Sequence, residues 1–172
     1  MPLVLNSSSI TGLAAVGGLS SLPTGSVIQT VNQTYTTRTA FSSPSSWQDT
    51  GVTASITPRF STSKILVLVT LQMYQNVSNS QNNVGMSLQV LRDATSIYRN
   101  PGNYGAYYNY ISVDAASGSR EQAVAPSVTI LDSPATTSSI TYKVQGQMGN
   151  SGSLVFQDDS SASSIVLMEI AA

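Results

Sequence analysis

The run Lys64-Ile65-Leu66-Val67-Leu68-Val69-Thr70-Leu71-Gln72-Met73-Tyr74 decides the reading of this chain. Its centre, Ile65 to Val69, is apolar without alternation, and no helical period continues on either side. Such a run suits a central strand covered on both faces. It is far too short to cross a bilayer.

Outward from it, other runs carry the period of two that marks half-buried strands. Val52-Thr53-Ala54-Ser55-Ile56 alternates cleanly, and Val84, Met86, Leu88 and Val90 share one face. Val124 to Leu131 is rich in β-formers. Ile140, Tyr142 and Val144 alternate with Thr141, Lys143 and Gln145, and Ile165 to Ile170 closes the chain with Glu169 as its one charge. Turn signals separate the runs, among them Ser42 to Ser46, Pro58 to Ser63, Asn100-Pro101-Gly102 and Asp132-Ser133-Pro134. Many short strands with no helical period predict an all-β, antiparallel sandwich, jelly-roll-like, over residues 26–172.

Residues 1–25 break this pattern. Asn6 to Ser9 and the glycines at 12, 17 and 18 are too small and flexible for a core. Leu3, Leu5, Ile10, Leu13, Val16, Leu19 and Leu22 are interleaved among them. The segment is expected to be an extended N-terminal arm that anchors on a partner through those apolar residues.

Composition narrows the function. Charged residues are 9% of the 172, against about a quarter in ordinary domains, and Ser and Thr fill the gap. A surface wetted by hydroxyls rather than ions fits a protein held in an assembly. Net charge is −1 and the seven cations are scattered, so the footprint of nucleic-acid binding is missing. No polybasic or amphipathic segment marks a membrane surface, and Met1 to Leu5, lacking a positive start and a long apolar stretch, is not expected to act as a secretory leader. With no cysteine or histidine, disulfides, common zinc sites and Ser-His or Cys-His catalysis are excluded.

The eight carboxylates offer no evident catalytic pair. Asp49, Asp93 and Asp132 stand where aspartate closes turns. Asp158-Asp159 is expected at a solvated hairpin tip, without the oxygen ring that calcium wants. Glu169 is expected in a structural salt bridge with an arginine. No catalytic, cofactor-binding or metal-binding residue is assigned.

Asn100 to Tyr110 holds half the tyrosines of the chain: Tyr104, Tyr107, Tyr108 and Tyr110. Tyrosine among Asn, Gly and Ser makes adaptable binding surface. These four are expected to line either a contact with a host sugar or protein, or a subunit seam, with trimer contact favoured.

Several blocks in order complete the reading: Thr24-Gly25-Ser26-Val27-Ile28-Gln29, Ser46-Trp47-Gln48-Asp49-Thr50-Gly51-Val52, Ser61-Thr62-Ser63-Lys64-Ile65, Leu91-Arg92-Asp93-Ala94-Thr95, Leu131-Asp132-Ser133-Pro134 and Ser164 to Ile170. This series, spanning about residues 24–172, resembles a β-domain of bacteriophage virion proteins, cyanophages especially, found in tail-fibre-like proteins. The resemblance implies a trimeric, jelly-roll-like virion protein without catalytic residues. Only about 25 residues precede the module, where fibres carry an attachment domain and a shaft. That favours a capsid decoration or cement protein on the virion surface, a homotrimer hooked by its arm to the major capsid protein or another virion protein. The other reading is a fibre tip contacting a host surface glycan.

Overall fold

The computed structural model describes residues 22–41, 46–78, 84–100, 109–111, 119–149 and 153–172. These form strands and a single short 3-10 turn at Asp158–Ser160. The strands are β1 (Val27–Tyr35), β2 (Thr39–Phe41), β3 (Gln48–Ile56), β4 (Lys64–Thr70), β5 (Met73–Ser78), β6 (Val84–Arg92), β7 (Thr95–Arg99), β8 (Asn109–Ile111), β9 (Ser119–Val124), β10 (Ser127–Asp132), β11 (Ile140–Met148), β12 (Ser153–Phe156) and β13 (Ser163–Ile170).

Three antiparallel sheets result, in the orders β1-β13-β4-β10, β2-β12-β5-β9 and β3-β11-β6-β7, with β8 also on β6. The first two are one layer broken across a seam. Each strand of the second sheet is the chain neighbour of the strand at the same place in the first: β2 follows β1, β5 follows β4, and β12 and β9 lead into β13 and β10. Counting each bent strand once, and β7 with β8 as one broken edge, the layers run 1-8-3-6 and 2-7-4-5. That is a jelly roll, the architecture expected from the alternating runs.

The seam explains where the sequence runs divide. Lys64 to Tyr74 is two strands, bent at Leu71-Gln72, and Val124 to Leu131 is two strands, bent at Ala125-Pro126. The proline has no N–H to give a ladder, and its carbonyl accepts instead from Leu71 N at 2.9 Å. Gln157, buried with φ 52°, joins the bends. The amide orientation that satisfies every partner donates from Nε2 to the carbonyls of Thr37 and Thr50, 3.1 and 3.2 Å away, and accepts from Ser163 Oγ at 2.7 Å. Ser163 Oγ in turn accepts from Gln72 N at 2.9 Å.

The core lies between the layers. Ile65, Val67, Val69, Ile165 and Leu167 face Val52, Ile56, Leu88, Val90, Tyr142 and Val144, all buried. Each such large side chain contributes about 1.5–3 kcal/mol. Close approach is greatest at Gly146 of β11, where a Cβ would lie 2.8 Å from ring atoms of both Phe41 and Phe156. Those rings pack with centroids 5.1 Å apart.

Candidate functional site

Several polar side chains inside the sandwich are structural ties. Asp132, at the end of β10, accepts two hydrogen bonds from Arg92 Nη1 at 2.8 and 2.9 Å and one from the Tyr142 hydroxyl at 2.7 Å. It thereby links the two layers, which corrects its reading as a turn-closing residue. Burial first, and then the Asp132 carboxylate, push the Tyr142 hydroxyl far above the ordinary tyrosine range. Asp93 stands in the β6–β7 turn with φ 52°, but its Oδ1 accepts from Thr141 N of β11 at 2.9 Å rather than from local backbone.

Glu169 has no exposed surface. It sits at the rim of the core, under the connection between β3 and β4. The expected arginine partner is replaced by backbone: Oε1 accepts from the N–H groups of Arg59 and Phe60 at 2.7 and 3.3 Å, and Oε2 accepts from Gln29 Nε2 at 2.5 Å. Burial pushes its pKa up. Hydrogen bonds from Gln29 and the two backbone amides, with the Ser63 hydroxyl facing it, outweigh that and hold it below the usual carboxylate range. Asp158 pairs with Arg38 at 2.7 Å on the exposed connection between β12 and β13, not on a hairpin tip. Among the described residues no three acidic side chains are grouped to hold a metal ion.

The two outer faces of the sandwich differ in kind. On the β3-β11-β6-β7 sheet, register aligns Asp49, Gln145, Gln89 and Arg99 in one row. Gln89 Nε2 donates to Gln145 Oε1 and Gln145 Nε2 donates to Asp49 Oδ1, both at 2.6 Å. Asp49 also pairs with Lys143 at 3.3 Å, so it too is a sheet residue rather than a turn residue. Arg99 stacks on Trp47, its guanidinium carbon 4.9 Å from the ring centroid. Beside this row a bulge at Thr50 to Val52 leaves an open depression of about 380 Å³ lined by Asp49, Gly51, Val52, Thr53, Lys143 and Val144. This face is polar along that row, and Ser87, Gln89 and Leu91 on the β6 part of it are buried.

The outer face of the β1-β13-β4-β10 sheet is not. Thr30, Met168, Leu66 and Leu131 form one row, and Asn32, Val166, Leu68 and Thr129 the next. Val27 and Ile170 continue it at one end beside Lys64. Leu131 and Val27 are 54% and 53% exposed, and Leu66, Leu68, Val166, Met168 and Ile170 are half-buried. Hydroxyls and one amide ring the patch: Thr30, Asn32, Thr34, Ser127, Thr129 and Ser164. The expectation that Ile65 to Val69 is covered on both faces is therefore half met. Ile65, Val67 and Val69 are buried, while no described residue forms a layer over Leu66 and Leu68.

Of the residues expected to bind partners, Leu22 is 38% exposed, while Leu3, Leu5, Ile10, Leu13, Val16 and Leu19 lie outside the described residues. So do Tyr104, Tyr107 and Tyr108; Tyr110 lies in β8, with its backbone opposite Gly85. Sequence reasoning passed over the Trp47–Arg99 stack and the amide row. Their signal was only the period-two placement of Gln89 and Gln145.

No protein-family model matches the chain, and no curated protein matches it. Solved structures of infectious bursal disease virus are similar to it at a distance. A structure of the Gx strain has a TM-score of 0.38 at 12% identity, covering 86% of this chain and 39% of that one. The VP2 subviral particle has a TM-score of 0.37 at 11% identity, with the same coverage of 86% and 39%. This chain thus spans well under half the length of those chains.

Proposed function

We propose that this chain is a non-enzymatic structural component of a bacteriophage particle: a trimeric capsid decoration protein that stabilises the head shell, hooked on by its N-terminal arm. The observation that carries the reading is the contrast between the outer faces. A free-standing jelly roll has no use for Leu66, Leu68, Val166, Met168 and Leu131 on a solvent face, whereas a protein that works in an assembly does. An apolar centre inside a hydroxyl rim is the anatomy of a contact surface. A shell contact needs no catalytic pair, and the carboxylates described above are tied into ladders and loops. Three arms per trimer would offset the ordering entropy of each.

The Trp47–Arg99 stack above an amide row favours one second reading, a fibre tip that binds a host surface glycan, since aromatic and amide groups are what a neutral sugar presents itself to. One experiment separates the two. The intact protein and a variant lacking residues 2–22 are added to undecorated heads, and binding and heat resistance are measured. Decoration predicts that the intact protein binds and protects, and that the truncated one does neither while keeping its β-rich circular dichroism. An intact protein that ignores heads but binds host cells refutes decoration in favour of the tip.

A further inference from the structure

The apolar outer face lies where the described chain begins. Pro23 to Ser26 is a β-turn, with Ser26 N donating to Pro23 O at 3.0 Å. Gly25 at φ +89° supplies the left-handed position that a type II turn requires. Gly25 N and Ala171 O, 2.8 Å apart, fix this turn to the end of β13. The turn reverses the chain just ahead of β1. The two residues flanking it, Leu22 and Val27, are both exposed and apolar, and Val27 pairs with Ile170. The apolar surface therefore runs from the middle of the sheet to Val27, the first residue of β1 after the turn.

We propose that residues 1–21 of the same chain lie across the outer face of the β1-β13-β4-β10 sheet in the unassembled protein. Chemistry and reach agree. The segment has no charged side chain, and neither have the rows through Leu66 and Leu68. From Ile10 to Leu22 every third residue is apolar: Ile10, Leu13, Val16, Leu19 and Leu22. A backbone with three residues per turn sets these on one side, about 9 Å apart. Extended, the segment reaches roughly 70 Å. The sheet face, four strands wide and seven residues long, is roughly 19 by 23 Å, or about 450 Å². A stable contact with a second copy needs about 800 Å² per partner. The face is too small for that and ample for one or two passes of extended chain. Intramolecular docking also gains from a high effective concentration. If the decoration reading holds, the shell must displace the segment, and docking keeps two apolar surfaces covered until it does.

The cysteine-free sequence makes the test direct. Single cysteines are introduced by Thr129→Cys, on the apolar face, and Ser55→Cys, on the polar face; both positions are exposed. Each full-length variant carries a nitroxide, and amide signals of residues 10–19 are followed by NMR with the isotope-labelled copies diluted into unlabelled ones. The label at position 129 should broaden those signals away and the label at 55 should leave them. Signals intact with both labels overturn the proposal. So does broadening that appears when the nitroxide and the isotope are on different, co-refolded copies, which would make the occupant a second chain. Neither readout involves capsids, so the decoration reading stands or falls separately.

Discussion

Replacing Glu169 by alanine removes an acceptor for which the fold has arranged three donors. Two are backbone N–H groups, Arg59 and Phe60, on a short connection that leaves them part-buried against the end of β13. The third, Gln29 Nε2, also donates to Thr57 O at 2.7 Å and keeps that partner. The loss is thus two orphaned backbone donors, at about 1–3 kcal/mol each. Losses from breaking buried charged networks run to about 3–5 kcal/mol, which sets the expected total. Glu169→Gln should cost less, about 1–2 kcal/mol, because one oxygen remains for Arg59 and Phe60 and only the Gln29 contact becomes donor against donor. Urea unfolding followed by the single tryptophan, Trp47, at fixed protein concentration measures both. With a slope of about 2 kcal/mol per molar, alanine should lower the midpoint by about 2 M. A loss below about 1 kcal/mol for alanine, or equal losses for the two variants, would refute the argument that the acceptor is what matters.

The same carboxylate gives a pH signature. Its folded pKa lies below the unfolded one, so its contribution is complete above about pH 4.3 and is lost as pH falls through the folded value; Glu169→Gln should show a shallower acid loss in pH-dependent urea melts. Tyr142→Phe should cost about 1–3 kcal/mol by leaving Asp132 short of a donor, and ultraviolet titration of the intact protein should show Tyr142 resisting ionisation until alkaline unfolding, because its folded pKa is raised. Gly146→Ala should cost about 1–3 kcal/mol by forcing Phe41 and Phe156 apart, seen as a lower melting temperature and altered aromatic circular dichroism. Leu66→Ser, on the outer face, should leave the sandwich folded and reduce heat protection of decorated heads.

The jelly roll was legible because most of its strands have one clean apolar face. β3 and β11 carry the alternation that burial on one side imposes, and their inward residues are the ones it marks; β6 alternates in sequence and sends Met86, Leu88 and Val90 into the core. β1 was not legible. It is an edge strand with mostly exposed side chains, and only its Val31 and Tyr35 pack against the core. Nothing in Gln29 to Thr34 demands a strand until β13 is there to pair with it. The seam was hidden for another reason. A bend between two layers needs only a break in pairing, so Lys64 to Tyr74 looks continuous although its strands serve two sheets. Pro126 was the one local sign of it.

Polar residues were harder to place than apolar ones, since their partners are distant along the chain. Asp132 stands in an Asp-Ser-Pro context that is sufficient by itself to make a turn. Only the topology brings Arg92 and Tyr142 to it from the opposite layer. Glu169 looked like half of a salt bridge because its strand has no other charge, yet a loop of backbone amides does an arginine's work without a second buried charge. The same logic governs the site. Ile65 to Val69 announces that both faces of β4 are to be covered, and a local run cannot say by what. The inner cover is the opposite layer. The outer cover proposed above comes from beyond the sandwich: from residues 1–21 before assembly and from a shell after it. An antiparallel sheet with a wet outer face would alternate along β4 and β13 as it does along β11; that it does not is the physical ground for reading this molecule as a part of something larger.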